Sequence, residues 1–413
     1  MRRSRLFARR RSILISFLLA AVVSLAYTCA ISMTSQIRTP SRYIHPRFTI
    51  FACPKGPNHT QTAVNEEVAL ASWVFWLDPP ADLVLLIGFE SDSGLQDLAR
   101  KYGDEAQRRE RPTKVKYVRL DNEGIIKTSD GDVGPNLRFV FSTAKRAVMP
   151  QSEEDIFTYV NADIVLPSNF VTASHRSFST GERTRPSEIV LTGTRTDCKG
   201  PLQSAENLLK LASSSTYPRL ESSFRECLPH APTGKDYWIY RREFWERHGG
   251  IPDFMLGRFV WDDYMALVAN TFGMLIDLSP VTFVIHLEHE YGHTNVRTRN
   301  MLLGGEGRKR NKRLMDAAWQ VLAPNRDDSH LNLNSVYWRA CPIDNAGINF
   351  IVEPAATWAH DAAWLNNTKS FPHSEGSCDY GKLFGCTTTC GILTRDARVH
   401  SENNTHATSM LMP

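Results

Sequence analysis

Short apolar runs alternate with segments of helical periodicity between residues 48 and 285, and this alternation restricts the folds open to the chain. The apolar runs are rich in β-branched and aromatic residues, as buried strands are. We predict strands at residues 48–52, 82–88, 114–120, 155–166, 188–193, 236–240, 274–277 and 281–285, and helices at residues 63–77, 95–106, 136–149 and 261–272. Strands and helices in this order predict an α/β domain with a doubly wound, mostly parallel sheet.

The run at residues 155–166 contains the triplet Asn161-Ala162-Asp163, which puts polar side chains into an otherwise apolar strand. In open α/β sheets, ligands bind beyond the carboxyl ends of the strands. A carboxylate there can hold a hard divalent cation, and the cation can in turn hold phosphates. The alternative is that Asp163 caps the next turn or pairs with a surface arginine.

Two large classes of nucleotide-binding protein are disfavoured. No Gly-x-Gly-x-x-Gly motif follows the first predicted strand, and no P-loop motif occurs in the chain, which argues against dinucleotide oxidoreductases and P-loop kinases. The formal net charge is +4, and much of it comes from arginines near the N-terminus. Because the remainder is close to neutral, we predict no nucleic-acid partner.

The N-terminal region predicts a membrane anchor. Six arginines precede an uncharged apolar stretch at residues 13–33, and about 20 such residues are needed to cross a bilayer as a helix. The positive-inside rule makes residues 1–12 a cytoplasmic tail and the remainder lumenal. A cleaved signal peptide is the alternative, although its apolar core is normally only about 7–15 residues. Residues 34–47 are predicted to be a stem.

Other features fit a lumenal location. Glycosylation sequons begin at Asn58, Asn366 and Asn403, and such sites are used in secreted proteins. Seven of the eight cysteines lie outside the apolar stretch. In an oxidising compartment most would form disulfides, although the sequence does not give the pairing.

Seven short pieces, taken in order, resemble motifs of glycosyltransferases of the GT-A type, which bind nucleotide-diphosphate sugars. They are residues 65–73, 85–88, 159–164, 192–195, 235–238, 256–263 and 286–293. The resemblance implies a GT-A-like sheet, a nucleotide-diphosphate sugar donor such as a UDP-sugar, a glycan or glycoprotein acceptor, and Mn²⁺ or Mg²⁺. The chain departs from the common Asp-x-Asp motif at Asn161. Because asparagine brings no second negative charge, we expect metal to bind more weakly or to be dispensable.

The sequence also predicts a domain organisation and a location. The resemblance implies a GT-A-like catalytic domain at residues 48–323. The part from residue 324 onward resembles no known family; its cysteines predict a disulfide-bonded C-terminal extension at residues 324–393, and its polar end predicts a disordered tail at residues 394–413. The short stem and the lack of an endoplasmic-reticulum retention signal at the C-terminus favour a single-pass type II protein of the Golgi membrane.

For the donor, the resemblance gives three positions a role. Asp163 would bind the cation that bridges the two phosphates, and this cation would neutralise charge on the leaving nucleoside diphosphate. Asn161 would touch the sugar or the ribose. Arg195 would meet a phosphate, with a surface salt bridge as the alternative.

For the acceptor, the resemblance points to acidic residues. Asp262 resembles the residue that faces the acceptor and would take the proton from the attacking hydroxyl, with Asp263 as the alternative. Asp236 would orient the acceptor. The structural alternative for the pair Asp262–Asp263 is capping of a helix N-terminus.

The segment His289-Glu290-Tyr-Gly-His293 also fits the zinc-protease motif His-Glu-x-x-His. There His289 and His293 would bind zinc, and Glu290 would be the general base. That motif needs a continuous helix, and a strand-like run precedes it. In the transferase interpretation, His286, His289 or His293 completes the metal shell, and we favour His289. A type II membrane zinc metalloprotease and a catalytically inactive GT-A-like binding protein remain alternatives to the glycosyltransferase.

Overall fold

The computed structural model describes residues 46–55, 60–88, 93–179, 185–199, 225–230, 234–287, 305–323, 338–342 and 350–354. The chain divides into two units, Met1–Pro46 and Arg47–Pro413, and every element below belongs to the second. Within the described ranges, no helix is long and apolar enough to span a bilayer. The predicted anchor, the three predicted sequons, and Glu290 with His289 and His293 lie outside these ranges.

The centre of the fold is a nine-stranded mixed sheet. In spatial order its strands are β15 (Phe350–Pro354), β14 (Trp338–Pro342), β12 (Met274–Asp277), β8 (Ile189–Thr192), β11 (Tyr237–Arg241), β6 (Ile156–Val160), β1 (Phe48–Ala52), β2 (Leu83–Gly88) and β3 (Lys114–Arg119). Strands β11 and β15 run against the other seven. The predicted α/β fold with a mostly parallel sheet is therefore confirmed.

Helices cover both faces of this sheet. They are α1 (Thr60–Ala71), α2 (Ser93–Arg108), α3 (Leu137–Ala147), α4 (Phe170–Ser179), α5 (Phe244–Arg247), α6 (Trp261–Phe272) and α7 (Glu306–Leu322). Alternate residues of β2 belong to different hydrophobic clusters: Val84 packs in the cluster that contains α1, α2 and α4, whereas Leu85 packs in the cluster that contains α3, α6 and α7. Because successive strand residues point to opposite faces, the sheet is doubly wound.

A second, four-stranded sheet has the spatial order β10 (Arg225–Pro229), β9 (Thr196–Lys199), β13 (Ile285–Leu287) and β7 (Ile164–Val165). A disulfide between Cys198 and Cys227 joins β9 to β10. A separate two-stranded ribbon contains β4 (Ile125–Lys127) and β5 (Val133–Pro135). The small sheet positions the site described below, because Asp163 directly precedes β7, and β9 and β13 carry Asp197 and His286.

Two strand predictions need correction. Residues 155–166 do not form one strand, because β6 ends at Val160 and the chain turns before β7 begins in the other sheet. The backbone N–H of Ile164 donates to the carbonyl of Asn161 and closes that turn. Residues 281–285 are also not a strand: the N–H groups of Val281 and Thr282 both donate to the carbonyl of Leu278. In both places, local hydrogen bonds outweigh β-propensity.

Candidate functional site

Polar residues gather at the carboxyl edge of the large sheet. Strand β6 leaves the sheet at Asn161, and the chain after β8 reaches Arg195. Strand β11 runs in the opposite direction, so the residues just before it, Lys235 and Asp236, lie at the same edge. Ligands of open α/β sheets bind at this edge.

Asn161 is oriented by three hydrogen bonds. Its side-chain Oδ1 accepts from the hydroxyl of Tyr159 at 2.9 Å, and its Nδ2 donates to Oδ1 of Asp236 at 2.5 Å. Its backbone N–H donates to the carbonyl oxygen of Asp236 at 2.9 Å. These contacts fix the amide plane and tie the end of β6 to the start of β11.

Arg195 connects two carboxylates. Its Nη1 donates to Oδ1 and Oδ2 of Asp236 at 3.0 and 2.9 Å, and its Nε donates to Oδ1 of Asp197 at 2.8 Å. Asp197 lies in β9, so this arginine links the two sheets. Its predicted contact with a donor phosphate stays a prediction.

His286 lies between Asp163 and Asp197. Its Nε2 is 3.4 Å from Oδ2 of Asp163, and its Nδ1 is 2.8 Å from Oδ1 of Asp197. Burial lowers the pKa of His286, but the two carboxylates outweigh burial and raise this pKa to about 9. His230 adds a further contact, with Nδ1 at 2.6 Å from Oδ2 of Asp197. Burial raises the pKa of Asp197, yet the two histidines and Arg195 hold it well below its usual range.

Lys235, Asp262 and Asp263 form a second charged group. The Nζ of Lys235 is 3.1 Å from Oδ1 of Asp263 and 3.6 Å from Oδ2 of Asp262. Burial raises the pKa of Asp262 to about 6 although Lys235 lowers it, and the charges of Asp263 and Asp236 raise it further. Burial lowers the pKa of Lys235, but the carboxylates of Asp262 and Asp263 outweigh burial and raise it.

The turn before α6 places the two acids. Val260 precedes the helix with φ 74° and ψ −4°, in the left-handed region, where a β-branched residue is strained. Asp262 and Asp263 then fall in the first turn of α6, where the helix dipole favours negative charge. The capping position itself is occupied by Val260, which forms no side-chain cap hydrogen bond, so of the structural alternative only the favourable helix-dipole charge applies to the two acids.

An aromatic pair joins the two charged groups. The ring of Tyr159 meets the ring of Trp261 edge to face, with centroids 5.4 Å apart. The hydroxyl of the same tyrosine donates to Asn161, and Trp261 directly precedes Asp262. Burial raises the pKa of Tyr159 well above its usual range, so this hydroxyl stays neutral.

The donor set at Asp163 fits part of a metal shell. A carboxylate and an imidazole suit Mn²⁺, which accepts oxygen and nitrogen ligands. No three His, Cys, Asp or Glu side chains form a metal-binding group among the residues that the structure describes. Asp163 and His286 could therefore supply two ligands, and donor phosphates and water would have to supply the others.

The structure brings the predicted site residues of the described ranges together. Asn161, Asp163, Arg195 and Asp236 belong to one network, which we call the Asp163 group together with Asp197 and His286. Asp262 and Asp263 belong with Lys235 to the Asp262 group. His289, which the sequence favoured as the metal ligand, lies outside the described residues, and His286 takes the position next to Asp163.

Sequence reasoning missed Lys235, Asp197 and His230. Lys235 precedes the predicted Asp236 directly, and Asp197 follows Arg195 by two residues, so both were within reach of the motifs. His230 carries no such signal, because its contact with Asp197 depends on the pairing of β9 with β10.

Comparison with known proteins does not assign the chain to a family. No protein-family model and no curated protein sequence matches it. It is similar to the solved structure of GalNAc-T7 with UDP, GalNAc and Mn²⁺, with a TM-score of 0.34 and 11% identity, over 60% of this chain and 44% of that chain. The chain thus spans less than half of that protein's structure.

Two further solved structures show lower TM-scores. Mannose-6-phosphate isomerase from Helicobacter pylori has a TM-score of 0.26 and 9% identity, over 55% of this chain and 78% of that chain. Mouse xyloside xylosyltransferase 1 in its apo form has a TM-score of 0.25 and 8% identity, over 49% of this chain and 68% of that chain. Similarity at this level establishes no activity, so function is inferred from the site itself.

Proposed function

We propose that the chain is a glycosyltransferase that moves a sugar from a nucleotide-diphosphate donor, such as a UDP-sugar, to a hydroxyl group of a glycan or glycoprotein. We further propose that it acts in the Golgi lumen as a single-pass type II membrane protein, on the evidence of the apolar stretch at residues 13–33. The site supports the transfer reaction, whereas the location rests on the sequence.

One observation carries the proposal: the Asp163 group and the Asp262 group share one edge of the sheet. Glycosyl transfer needs a group that holds a diphosphate and a base that receives a proton from the acceptor. The carboxyl edge of a doubly wound sheet supplies the place, and Tyr159 with Trp261 joins the two groups.

The Asp163 group is suited to the donor. A bound Mn²⁺ or Mg²⁺ would act as a Lewis acid and neutralise charge on the leaving nucleoside diphosphate. Asp163 and His286 are the residues that would hold it. The Oδ1 of Asn161 already accepts from Tyr159 and its Nδ2 donates to Asp236, so a ribose or sugar hydroxyl would meet an amide of fixed orientation.

The Asp262 group is suited to the acceptor. A general base works best when its pKa lies near the operating pH, and burial raises the pKa of Asp262 to about 6. The side chain of Asp262 is 23% exposed whereas that of Asp263 is 9% exposed, so Asp262 is the one that an acceptor reaches. Asp236 would act by holding Asn161 and Arg195, since it bonds to both.

The proposal is tested with the full-length protein in detergent, and the first prediction concerns Asp163. Nucleotide sugars are screened for a rise in melting temperature with Mn²⁺, with Mg²⁺ and with EDTA. A donor present at about 100 times its Kd adds about 2.7 kcal/mol of stability. We expect Asp163→Asn to remove the Mn²⁺-dependent shift and to lower donor turnover at least about 100-fold, which is about 2.7 kcal/mol of transition-state stabilisation.

The matched control is Asp97→Asn, which changes an exposed aspartate that pairs with Arg100 on α2. This variant should keep both the shift and the turnover. The proposal is wrong if no donor raises the melting temperature under any metal condition. Donor binding without turnover would instead favour an inactive binding protein, and zinc-dependent proteolysis lost in Glu290→Gln would favour the metalloprotease.

A further inference from the structure

One buried lysine, Lys235, contacts both acids at the start of α6, Asp262 and Asp263. The side chain of Lys235 is 0% exposed, and its Nζ lies nearer to Asp263 than to Asp262, at 3.1 Å against 3.6 Å. The lysine also forms a bridge with Thr194 that continues the pairing of β11 with β8. Its backbone is therefore fixed by the sheet, and its side chain reaches across to the helix.

A buried ammonium at this position requires a partner. Removing an ion from water costs several kcal/mol, and only close opposite charge with good geometry offsets that cost. Two adjacent carboxylates in one helical turn repel each other, and one ammonium between them compensates this repulsion. The shorter contact and lower exposure of Asp263 mean that it serves chiefly to hold Lys235, while Asp262 stays accessible.

We propose that Lys235 is a positioning residue of the acceptor site, which holds Asp263 as a fixed anchor and directs Asp262 toward the acceptor hydroxyl. This inference rests on the proposed glycosyltransferase function. In the transfer step, the acceptor oxygen bonds to the anomeric carbon of the sugar. The bond from that carbon to the diphosphate oxygen breaks, its electron pair leaves with the diphosphate, and the proton goes to the carboxylate of Asp262.

The charges around Asp262 determine how a substitution of Lys235 would change the pKa of Asp262. Lys235 lowers the pKa of Asp262, whereas burial, Asp263 and Asp236 raise it. Tyr159 also interacts with Asp262 but stays neutral. Loss of the ammonium removes a lowering influence, and burial, Asp263 and Asp236 still raise the pKa, so the pKa of Asp262 moves up and the base is ionised only at higher pH.

The test measures the pH dependence of kcat/KM for donor turnover between pH 5 and pH 9 in the full-length protein. Lys235→Met removes the charge and keeps much of the volume. We expect its acid limb to move up by at least about one pH unit from a pKa of about 6, so that its activity relative to wild type falls at least about 5-fold more at pH 6 than at pH 8.5. A lysine with a purely structural role would lower the rate equally at all pH values.

A second variant keeps the test decisive if Lys235→Met does not fold. Asp263→Asn removes a charge that raises the pKa of Asp262, so its acid limb should move down, in the opposite direction. Asp262→Asn should lower turnover at every pH. The inference is overturned if Asp263→Asn loses as much activity as Asp262→Asn, or if neither Lys235→Met nor Asp263→Asn moves the acid limb. A wild type that turns over no donor would instead remove the proposed function, and this inference with it.

Discussion

Single charged side chains in this protein have several partners each, and Asp155 shows the pattern away from the candidate site. This aspartate is 1% exposed and precedes β6 directly. It accepts from Nη2 of Arg47 at 2.7 Å and from the backbone N–H of Ser152 at 3.1 Å, and Nη1 of Arg242 lies 3.6 Å away. Arg242 is itself buried, and this carboxylate is one of two beside its guanidinium, the other being Glu243 at 3.7 Å from Nε.

At this scale we predict a large loss of stability for Asp155→Asn. The variant removes one of the two carboxylates beside a buried guanidinium, and breaking a buried ion pair costs about 3–5 kcal/mol of unfolding free energy. The neighbouring Glu154 is 67% exposed and contacts Nη1 of Arg241 at 3.3 Å, so Glu154→Gln should cost less than about 1 kcal/mol. Urea unfolding followed by tryptophan fluorescence measures both, and equal losses would contradict the prediction.

The residues of the site could be predicted in part. The sequence identifies Asn161, Asp163 and Asp262, because each is a polar residue near the end of a predicted buried strand or at the start of a predicted helix. Lys235 could not be assigned a role, because its partners lie at positions 262 and 263 and only the fold brings them within 4 Å. The same holds for Asp197, whose three cationic partners come from different segments.

Among the described elements, the turn into α6 places a β-branched residue in a strained backbone conformation. Val260 adopts a left-handed backbone conformation, in which a residue with a Cβ costs about 1–2 kcal/mol more than glycine. It is also partly buried against the hydrophobic cluster of α6. The strain occurs two residues before Asp262, so the turn that aims the acid is held against its own preference.

The prediction for this turn compares two variants of Val260. Val260→Ala and Val260→Gly both remove the valine side chain, but only glycine tolerates φ 74° without strain. We expect the glycine variant to be more stable than the alanine variant by about 1 kcal/mol in urea unfolding. An alanine variant at least as stable as the glycine variant would contradict the prediction.

The bounds of elements with a clear hydrophobic period were predicted closely. The bounds of elements that depend on pairing with distant strands were not. Helix α6 and strand β12 have the predicted bounds, because each combines a clear pattern with a glycine between them. The run at residues 155–166 contains enough apolar residues for one strand, but the turn closed by the hydrogen bond from the N–H of Ile164 to the carbonyl of Asn161 directs the chain to a different sheet. No local signal in the run predicts this turn.

For the molecule as a whole, one covalent link secures the small sheet. The disulfide between Cys198 and Cys227 closes a span with a sequence separation of 29. It joins the strand that carries Asp197 to the strand that ends just before His230. Stability and the arrangement of the Asp163 group therefore depend on the same bond, which fits a chain that folds in an oxidising compartment.

We predict that replacing both cysteines of this pair by alanine lowers the unfolding free energy by about 3–4 kcal/mol, the loop-closure value for a span of this length. Urea unfolding of the full-length protein checks the value. The control is Cys53→Ala, which changes a half-buried cysteine outside the described disulfide and should cost about 1 kcal/mol. A double variant as stable as the control would show that the link does not hold the small sheet.

The reversed direction of β11 has a consequence for how such a site can change over time. A strand that runs against its neighbours presents its first residues where they present their last, so Lys235 and Asp236 meet the ends of β6 and β8. Substitutions at these two adjacent positions would alter the charge in both the Asp163 group and the Asp262 group, yet leave the buried strand residues Tyr237–Arg241 untouched. Donor and acceptor preferences could then diverge among descendants of this chain without rebuilding its core.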